Sequence, residues 1–186
     1  MTEQATSKPL SPEKSEWLKG KIRDIPDFPK PGIIFKDLTT LLKDKEAFSY
    51  VIEVFADNYS KLNPDYIAGI EARGFILGPA IANKLNLGFI PVRKPGKLPH
   101  KVVKESYQLE YGTDTLEVHE DCVNKGDRVV LIDDLLATGG TAAAAYSLLN
   151  RVGAEIVSIG FVVELEFLGG RKKMPGGVDV FSILQF

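Results

Sequence analysis

Short apolar runs that alternate with helical stretches dominate the second two thirds of the chain. The uninterrupted runs are residues 66–70, 89–92, 129–132 and 156–163. A run without polar alternation suits a strand buried on both faces, and strands separated by helices, such as the one predicted near 74–85, form parallel crossovers. The pattern therefore predicts an α/β fold with a mostly parallel, twisted sheet flanked by helices, and residues 178–184 add an edge strand.

The N-terminal part follows a different pattern. We expect residues 1–10 to be a loose leader. The Ser-Pro-Glu sequence at 11–13 predicts a helix start, and we expect this helix to continue to about Asp24. Three prolines then predict an extended or turning loop over residues 25–32. One helical face within residues 43–61 carries the apolar side chains Phe48, Val51, Ile52, Phe55 and Tyr59.

The alternation breaks between residues 94 and 127. A basic loop leads into a strand predicted over 107–111, a turn at 112–114 and a second strand over 115–118. Long irregular stretches in compact domains often cover binding sites. We therefore expect a flexible antiparallel hairpin over residues 94–118 that acts as a lid.

Composition limits the class of protein. The chain has 186 residues, 44% of them hydrophobic, and a formal net charge of -2, which predicts one well-formed core and argues against a surface that coats nucleic acid. The single cysteine, Cys122, cannot form an intramolecular disulfide, and the polar N-terminus does not look like a secretory signal. The apolar runs of the chain are too short to cross a bilayer. We expect a cytoplasmic protein with no nucleic-acid or membrane partner.

Residues 129–141, VVLIDDLLATGGT, carry the most specific chemical signal. Asp133 and Asp134 follow the apolar run, and a glycine pair then leads into a predicted helix at 142–151. The free N–H groups and dipole of a helix start favour a phosphate, whereas carboxylates suit hydroxyls or a cation. A ribose 5-phosphate offers this combination. The alternative is an ordinary strand-turn-helix whose acids cap the helix.

Two further junctions between a strand and a loop carry cations. In EARGF, residues 71–75, Arg73 offers a planar fork and Gly74 lets the backbone approach an anion, so a pyrophosphate could bind there. The alternative is a surface ion pair between Glu71 and Arg73. RKPGKLP, residues 93–99, concentrates three cations that could meet a strongly negative substrate, or could simply be a solvated loop.

The motif at 129–141 resembles the phosphoribosyl-pyrophosphate signature of the type I phosphoribosyltransferases. With EARGF, RKPGKLP and YQLEYG in this order, and PDFPKPGIIFKD at 26–37, the chain from about residue 22 onwards resembles the adenine phosphoribosyltransferases. The resemblance implies the type I fold, with a small N-terminal hood at 11–40 and a core at 41–186. It also implies transfer of a phosphoribosyl group from phosphoribosyl pyrophosphate to adenine, giving AMP and pyrophosphate.

The resemblance implies roles for individual residues. Asp133 and Asp134 would bind the ribose hydroxyls. The 5-phosphate would be held by the backbone amides of the loop that follows: Ala137, Thr138, Gly139, Gly140 and Thr141. Arg73 and Lys97, with Arg93 from this subunit or across a dimer interface, would neutralise the departing pyrophosphate. Magnesium would be held mainly through the substrate, without a dedicated protein site, and a homodimer is expected.

The base and its proton are assigned in the same way. Glu110 would exchange a proton with a purine ring nitrogen, and Tyr111 would close over the reactants to exclude water. Backbone groups at Ile34 and Lys36 would read the edge of adenine. Phe35 and Leu135 would pack on its faces. Some members of the family carry arginine where this chain has Lys36, which matters little if the main chain makes the contact.

Several alternatives remain open at this stage. The chain could transfer the same group to xanthine, guanine, hypoxanthine or orotate, or it could be a non-catalytic sensor of phosphoribosyl pyrophosphate. The segment at 33–35 could be a buried extended stretch with no ligand. His100, His119 and Cys122 lack the spacing of a metal or nucleophile site. We expect Trp17 to pack against the body of the protein or a second subunit.

Overall fold

A parallel five-stranded sheet forms the centre of the computed structural model, which describes residues 10–108 and 112–186. The helices are α1 (Pro12–Lys19), α2 (Thr39–Lys43), α3 (Lys45–Tyr59), α4 (Gly74–Leu85) and α5 (Gly140–Arg151). The strands are β1 (Arg23–Pro26), β2 (Ile34–Asp37), β3 (Tyr66–Ile70), β4 (Gly88–Val92), β5 (Val102–Gln108), β6 (Thr113–His119), β7 (Arg128–Leu136), β8 (Glu155–Glu164) and β9 (Asp179–Gln185). Short 3₁₀ helices lie at Ser60–Leu62, Glu166–Leu168 and Gly170–Lys173.

The strand order is β4-β3-β7-β8-β9, and every pairing in this sheet is parallel. The predicted α/β class is therefore confirmed, and β9 is the predicted edge strand. The chain leaves β3 first towards β4 and later continues on the other side with β7. Ligands of open α/β sheets bind at such a reversal, beyond the carboxyl ends of the strands. The sheet thus places its binding edge where β3, β4 and β7 end.

Each face of the sheet buries a separate set of apolar side chains. On one face, α3 and α4 pack with Val51, Phe55 and Ile81 fully buried. On the other face, α5 packs with Leu148 and Leu149 against the inner side of β6. Because both faces are covered, the central strands carry continuous aliphatic runs, as their sequence predicted.

The helix predicted to run to Asp24 ends earlier. α1 ends at Lys19, and the N–H of Gly20 caps it by donating to the carbonyl of Glu16. β1 then pairs antiparallel with β2, so that Ile25 lies opposite Phe35. The prediction was wrong here because pairing with a distant strand outweighed local helix propensity.

The second antiparallel excursion also differs in its bounds. β5 and β6 pair from Val102 opposite His119 to Gln108 opposite Thr113, so the first strand begins well before the predicted 107–111. Thr113 belongs to β6, whereas a turn was predicted there. Leu116 and Val118 are fully buried, which anchors this hairpin in the core. The stretch 102–106 was missed because the charged side chains of Lys104 and Glu105 interrupt its apolar alternation.

No helix in the described parts of the chain combines the length and the apolar character needed to cross a membrane.

Candidate active site

The connection between β7 and α5 forms an open cavity at the binding edge. Its volume is about 80 Å³, against the roughly 10–15 Å³ that one water requires. The lining residues are Asp133, Leu135, Leu136, Ala137, Thr138, Gly139, Gly140, Thr141 and Ala142. Gly139 caps α5 with a φ of 79°, and no side chain caps the helix start. The first N–H groups of α5 are therefore left for a ligand, as the sequence predicted for a phosphate.

A second glycine supports this loop from behind. Gly170, at the start of the last 3₁₀ helix, packs so tightly that a methyl group on it would overlap the carbonyl oxygen of Ala137. A methyl group on Gly139 would in turn overlap the carbonyl of Gly170. The next residue, Arg171, fixes this segment through a hydrogen bond of 2.9 Å from Nε to Oε1 of Glu164. Sequence reasoning missed Gly170, although the Gly-Gly pair after the β8 pattern was a signal.

The two acids lie inside β7 and not beyond its end. Asp134 is 5% exposed, and Asp133 is half-buried. Burial raises the pKa of both carboxyl groups, and the neighbouring charge of Asp134 raises the pKa of Asp133 further. Arg73 opposes both shifts. These acids do not cap α5, so the capping alternative is wrong.

Arg73 provides the closest positive charge to this pair. Its Nε lies 2.8 Å from Oδ2 of Asp134. The N–H does not point at that oxygen, and Oδ2 accepts no hydrogen bond from any described residue. A buried carboxylate oxygen without a donor is costly, so this oxygen is suited to a hydroxyl or a cation brought by a ligand.

The turn that carries Arg73 does not contain the surface ion pair between Glu71 and Arg73 that was the alternative to a pyrophosphate site. Glu71 accepts from Nε of Arg93 at 3.2 Å and from the backbone N–H of Lys94 at 3.0 Å, so it pairs with the neighbouring loop and not with Arg73. These interactions, beginning with the N–H of Lys94, lower the pKa of Glu71. Gly74 serves close packing of α4 on β7, because a methyl group there would lie 2.8 Å from the carbonyl oxygen of Ile132.

The three cations of the basic loop after β4 differ in their ion-pair partners. Arg93 pairs with Glu71, and Lys94 forms an ion pair with Asp114. Partial burial opposes the charge on Lys94, but hydrogen bonds to Asp114 and Tyr107 outweigh it and raise the pKa of this lysine. Lys97 is exposed, and its charge helps to lower the pKa of Glu71. Of the three cations, Lys97 is thus the one best placed to reach a ligand without breaking an existing contact.

The hood consists of the β1–β2 hairpin. Ile33 is 43% exposed and Ile34 is 57% exposed, so the buried-segment alternative for residues 33–35 is wrong. The ring of Phe35 meets Phe28 edge-on at 5.2 Å and lies 5.8 Å from the guanidinium carbon of Arg73. The side chain of Lys36 is occupied by Asp24, at 2.7 Å, which leaves its main chain for any contact with a base.

The other predicted residues are placed less directly. Leu135 is half-buried next to the cavity, on the same strand as the two acids. Glu110 and Tyr111 lie outside the described residues. The described end of β5 reaches the cavity, because a methyl group on Gly140 would lie 3.3 Å from the carbonyl oxygen of Gln108.

The residues set aside by the sequence have ordinary surroundings. Trp17 packs edge-on against Tyr50 on α3, within the same chain. Burial raises the pKa of the Cys122 thiol to about 11, which makes it a poor nucleophile. Within the described ranges, no group of three or more histidine, cysteine or acidic side chains could hold a metal ion.

Comparison with known proteins places this site in a family. The model of the phosphoribosyl transferase domain matches residues 38–180. An adenine phosphoribosyltransferase from Halothermothrix orenii is 60% identical over 168 residues, which cover 90% of this chain and 98% of that protein.

Solved structures agree with the sequence match. The crystal structure of the Thermoanaerobacter pseudethanolicus adenine phosphoribosyltransferase has a TM-score of 0.88 and 53% identity, covering 92% of this chain and 99% of that one. The Saccharomyces cerevisiae enzyme, crystallised with an imino-altritol bisphosphate and adenine, has the same TM-score of 0.88 at 38% identity, covering 92% and 99%. The chain therefore belongs to the adenine phosphoribosyltransferases of the phosphoribosyl transferase domain family.

Proposed function

We propose that the edge formed by β3, β4 and β7 performs the family's reaction with the division of roles set out below. The chain transfers the 5-phosphoribosyl group from phosphoribosyl pyrophosphate to adenine, which yields AMP and pyrophosphate in purine salvage. The observation that carries the residue assignment is the convergence of three groups: the Asp133–Asp134 pair, Arg73 beside it, and Phe35 within 5.8 Å of Arg73. Sugar, pyrophosphate and base each have a complementary surface within this small region.

The phosphate loop would anchor the part of the donor that does not react. Five residues that line the cavity would offer their backbone N–H groups to it, and the dipole of α5 favours negative charge there: Ala137, Thr138, Gly139, Gly140 and Thr141. Binding energy from the 5-phosphate is spent on orienting the sugar. Asp133 and Asp134 would accept hydrogen bonds from the ribose hydroxyls, which supplies the donor that Oδ2 of Asp134 lacks.

Arg73 and Lys97 would meet the pyrophosphate as its bond to the anomeric carbon breaks. Negative charge grows on the departing group, so nearby cations stabilise the transition state more than the ground state. Arg93 would contribute after reorganising its pair with Glu71, or from a second subunit. Its present contacts, with Glu71 and the carbonyl of Lys97 at 3.2 Å, hold the loop in shape.

Adenine would bind under the hood at 11–40. Phe35 and Leu135 supply apolar surface for the two faces of a purine, and the backbone at Ile34 and Lys36 supplies donors and acceptors for its edge. Glu110 would take up or share the proton that the attacking ring nitrogen loses. Tyr111 would close over the reactants. Residues 94–118 would form the lid of a catalytic core at 41–186.

Magnesium fits the donor set at the sugar site. Carboxylates such as Asp133 and Asp134 are oxygen ligands of the kind that Mg²⁺ prefers, and this ion is usually held by one or two carboxylates together with substrate phosphates. When bound, the ion would neutralise charge on the pyrophosphate. The protein's own contribution is to hold the buried carboxylate of Asp134 beside Arg73 and the half-buried carboxylate of Asp133 next to it.

We also propose a homodimer that works in the cytoplasm. A single cysteine, Cys122, with no second cysteine to pair with in the chain, suits a reducing compartment. A dimer would allow Arg93 to act across the interface. Sedimentation at two protein concentrations tests the dimer independently of activity.

AMP formation tests the central proposal. The purified chain is mixed with adenine and phosphoribosyl pyrophosphate, with and without magnesium, and AMP is followed in the ultraviolet. Xanthine, guanine, hypoxanthine and orotate serve as competing bases, and we expect adenine to be preferred. Rapid turnover of another base would reassign the specificity, and donor binding without turnover of any base would favour the sensor alternative.

A further inference from the structure

The hydroxyl of Tyr107 joins three segments of the site. Tyr107 lies on β5, and its hydroxyl donates to Oδ2 of Asp114 on β6 at 3.2 Å. It accepts from Nζ of Lys94 in the basic loop at 3.2 Å, and from the hydroxyl of Thr141 in the phosphate loop at 3.3 Å. Lys94 and Asp114 also pair directly. One phenol oxygen thus contacts the lid hairpin, the basic loop and the phosphate loop.

This arrangement uses the full hydrogen-bonding capacity of the phenol. A tyrosine hydroxyl has one proton to donate and two lone pairs to accept with. The proton goes to Asp114, and the lone pairs are filled by Lys94 and Thr141. The ring below the hydroxyl is half-buried in the core on the α5 side, which limits its freedom to move.

Thr141 has a single hydroxyl proton to give. In the present structure that proton goes to Tyr107, so the hydroxyl cannot at the same time donate to a phosphate in the cavity. A 5-phosphate that attracts this proton would take one donor away from Tyr107. The occupancy of the phosphate loop therefore bears directly on the contact that holds the end of β5.

The end of β5 matters because the proposed proton-transfer residue follows it. Gln108 is the last residue of β5, and Glu110 is two positions further on. The carbonyl of Gln108 faces Gly140, so the hairpin and the phosphate loop are already in close approach. Earlier on β5, Glu105 forms an ion pair with Arg151 of α5, which fixes the base of the hairpin. Nearer the end of β5, the hydroxyl of Tyr107 connects the hairpin to the phosphate loop.

We infer that Tyr107 is a positioning residue, whose hydroxyl couples the 5-phosphate loop to the lid hairpin and the basic loop. The inference rests on the proposed function, because the ligand that acts on Thr141 is the 5-phosphate of the donor. Tyr107 touches neither the breaking bond nor the base. It acts by keeping the strand that leads to Glu110 in register with the bound sugar.

The test compares Tyr107→Phe with Ser106→Ala. The first variant keeps the ring and removes the coupling hydroxyl. The second removes a hydrogen bond of 2.9 Å between the hydroxyls of Ser106 and Thr115, which crosses the same two strands on the exposed side and does not reach the phosphate loop. The melting temperature of each variant shows that it has folded.

Two readouts are expected to separate the variants. Tyr107→Phe should lower kcat about tenfold while changing the KM for phosphoribosyl pyrophosphate less than about threefold, since misplacing a reacting group costs rate more than donor binding. In hydrogen exchange, ribose 5-phosphate should speed the exchange of the amides at the end of β5 in the parent and in Ser106→Ala, because Tyr107 loses the donor from Thr141. In Tyr107→Phe, which lacks this contact from the start, the same ligand should leave that exchange unchanged.

The outcomes distinguish this inference from the function itself. If ribose 5-phosphate changes the exchange at the end of β5 equally in Tyr107→Phe and in the parent, or if Ser106→Ala loses as much kcat, the coupling role is overturned while the function stands. If the parent binds no ribose 5-phosphate, both proposals fall. If the parent binds it but forms no AMP, the function fails and the exchange experiment still decides the coupling.

Discussion

Arg73 approaches Asp134 to 2.8 Å across the point where the order of the parallel strands reverses, between β3 and β7. The two residues are 61 positions apart in sequence. They meet because β3, which precedes Arg73, pairs with β7, which contains Asp134. Asp134 is almost fully buried, so its charge depends on this one cation. The contact lacks hydrogen-bond geometry, which leaves both partners able to turn to a ligand.

Replacing Arg73 by alanine should destabilise the protein by about 2 kcal/mol at pH 8, less than the full cost of breaking a buried pair because Arg73 is partly exposed. Without the cation the pKa of Asp134 rises further above its ordinary value. The folded state then holds a proton that the unfolded state releases, so the loss of stability grows as pH rises and shrinks towards acid pH. Urea unfolding at pH 5 and pH 8 measures it, and Arg73→Lys is the charge-retaining control. An equal loss at both pH values would contradict the account.

Asp133→Asn should stabilise the unliganded protein at neutral pH. Burial, followed by the charge of Asp134, raises the pKa of Asp133, so stability decreases as pH rises from the ordinary aspartate pKa through the folded one. An asparagine removes this dependence, and its oxygen can still accept the N–H of Asp134, as Oδ1 of Asp133 does at 2.9 Å. Thermal unfolding from pH 4 to pH 8 follows the effect.

The same substitution should weaken donor binding about tenfold or more, because it removes a charged acceptor for the ribose hydroxyls. Calorimetric titration with phosphoribosyl pyrophosphate measures this loss. A variant that is both less stable at pH 8 and unchanged in affinity would show that Asp133 is an ordinary ionised surface acid.

Gly170→Ala should displace the phosphate loop. The added methyl group would overlap the carbonyl of Ala137, and backbone cannot yield as a flexible side chain can. Affinity for ribose 5-phosphate should decrease about tenfold, which corresponds to roughly 1.4 kcal/mol. Gly176→Ala is the matched control, because an added methyl group there meets nothing within 4 Å. Similar affinities in the two variants would mean that the loop does not rely on Gly170.

The cations of the basic loop should separate by their effects. Lys97→Ala should raise the KM for phosphoribosyl pyrophosphate with little change in melting temperature, since Lys97 is exposed. Lys94→Ala removes the partner of Asp114 and a donor to Tyr107, so it should lower the melting temperature by several degrees, as about 1 kcal/mol does in a domain of this size. Kinetics and thermal unfolding of both variants check this, and a reversed pattern would exchange their roles.

The sequence predicted the sheet well because its signals are local. The aliphatic runs of β3 and β7 and the glycine pair before α5 are complete within short windows, and the structure has them where they were expected. Pairing over long distances left no such signal. β1 forms because Ile25 meets Phe35, and Gly170 reaches Ala137 through the fold, so neither could be found from neighbouring residues alone.

The site shows the same division. Charge type and strand position predicted that Arg73 and the two acids would lie at one edge. They could not predict that Glu71 pairs with Arg93, or that Lys94 is held by Asp114, because both choices depend on how β4, β6 and the turn after β3 approach one another. The sequence shows several cations near the anion site, but only the structure shows which acidic side chain each of them pairs with.

Glu110→Gln should lower turnover about a hundredfold or more and leave the affinity for phosphoribosyl pyrophosphate nearly intact. An amide cannot accept the proton that adenine loses, whereas the anchors of the donor lie elsewhere, in the phosphate loop and at Arg73. Glu105→Gln is a suitable comparison, because Glu105 lies on the same hairpin but pairs with Arg151 on α5, away from the cavity. Single-turnover rates and calorimetric titration of both variants separate chemistry from binding. Unchanged turnover in Glu110→Gln would remove this residue from the mechanism and direct the search for the proton acceptor to the acids of β7.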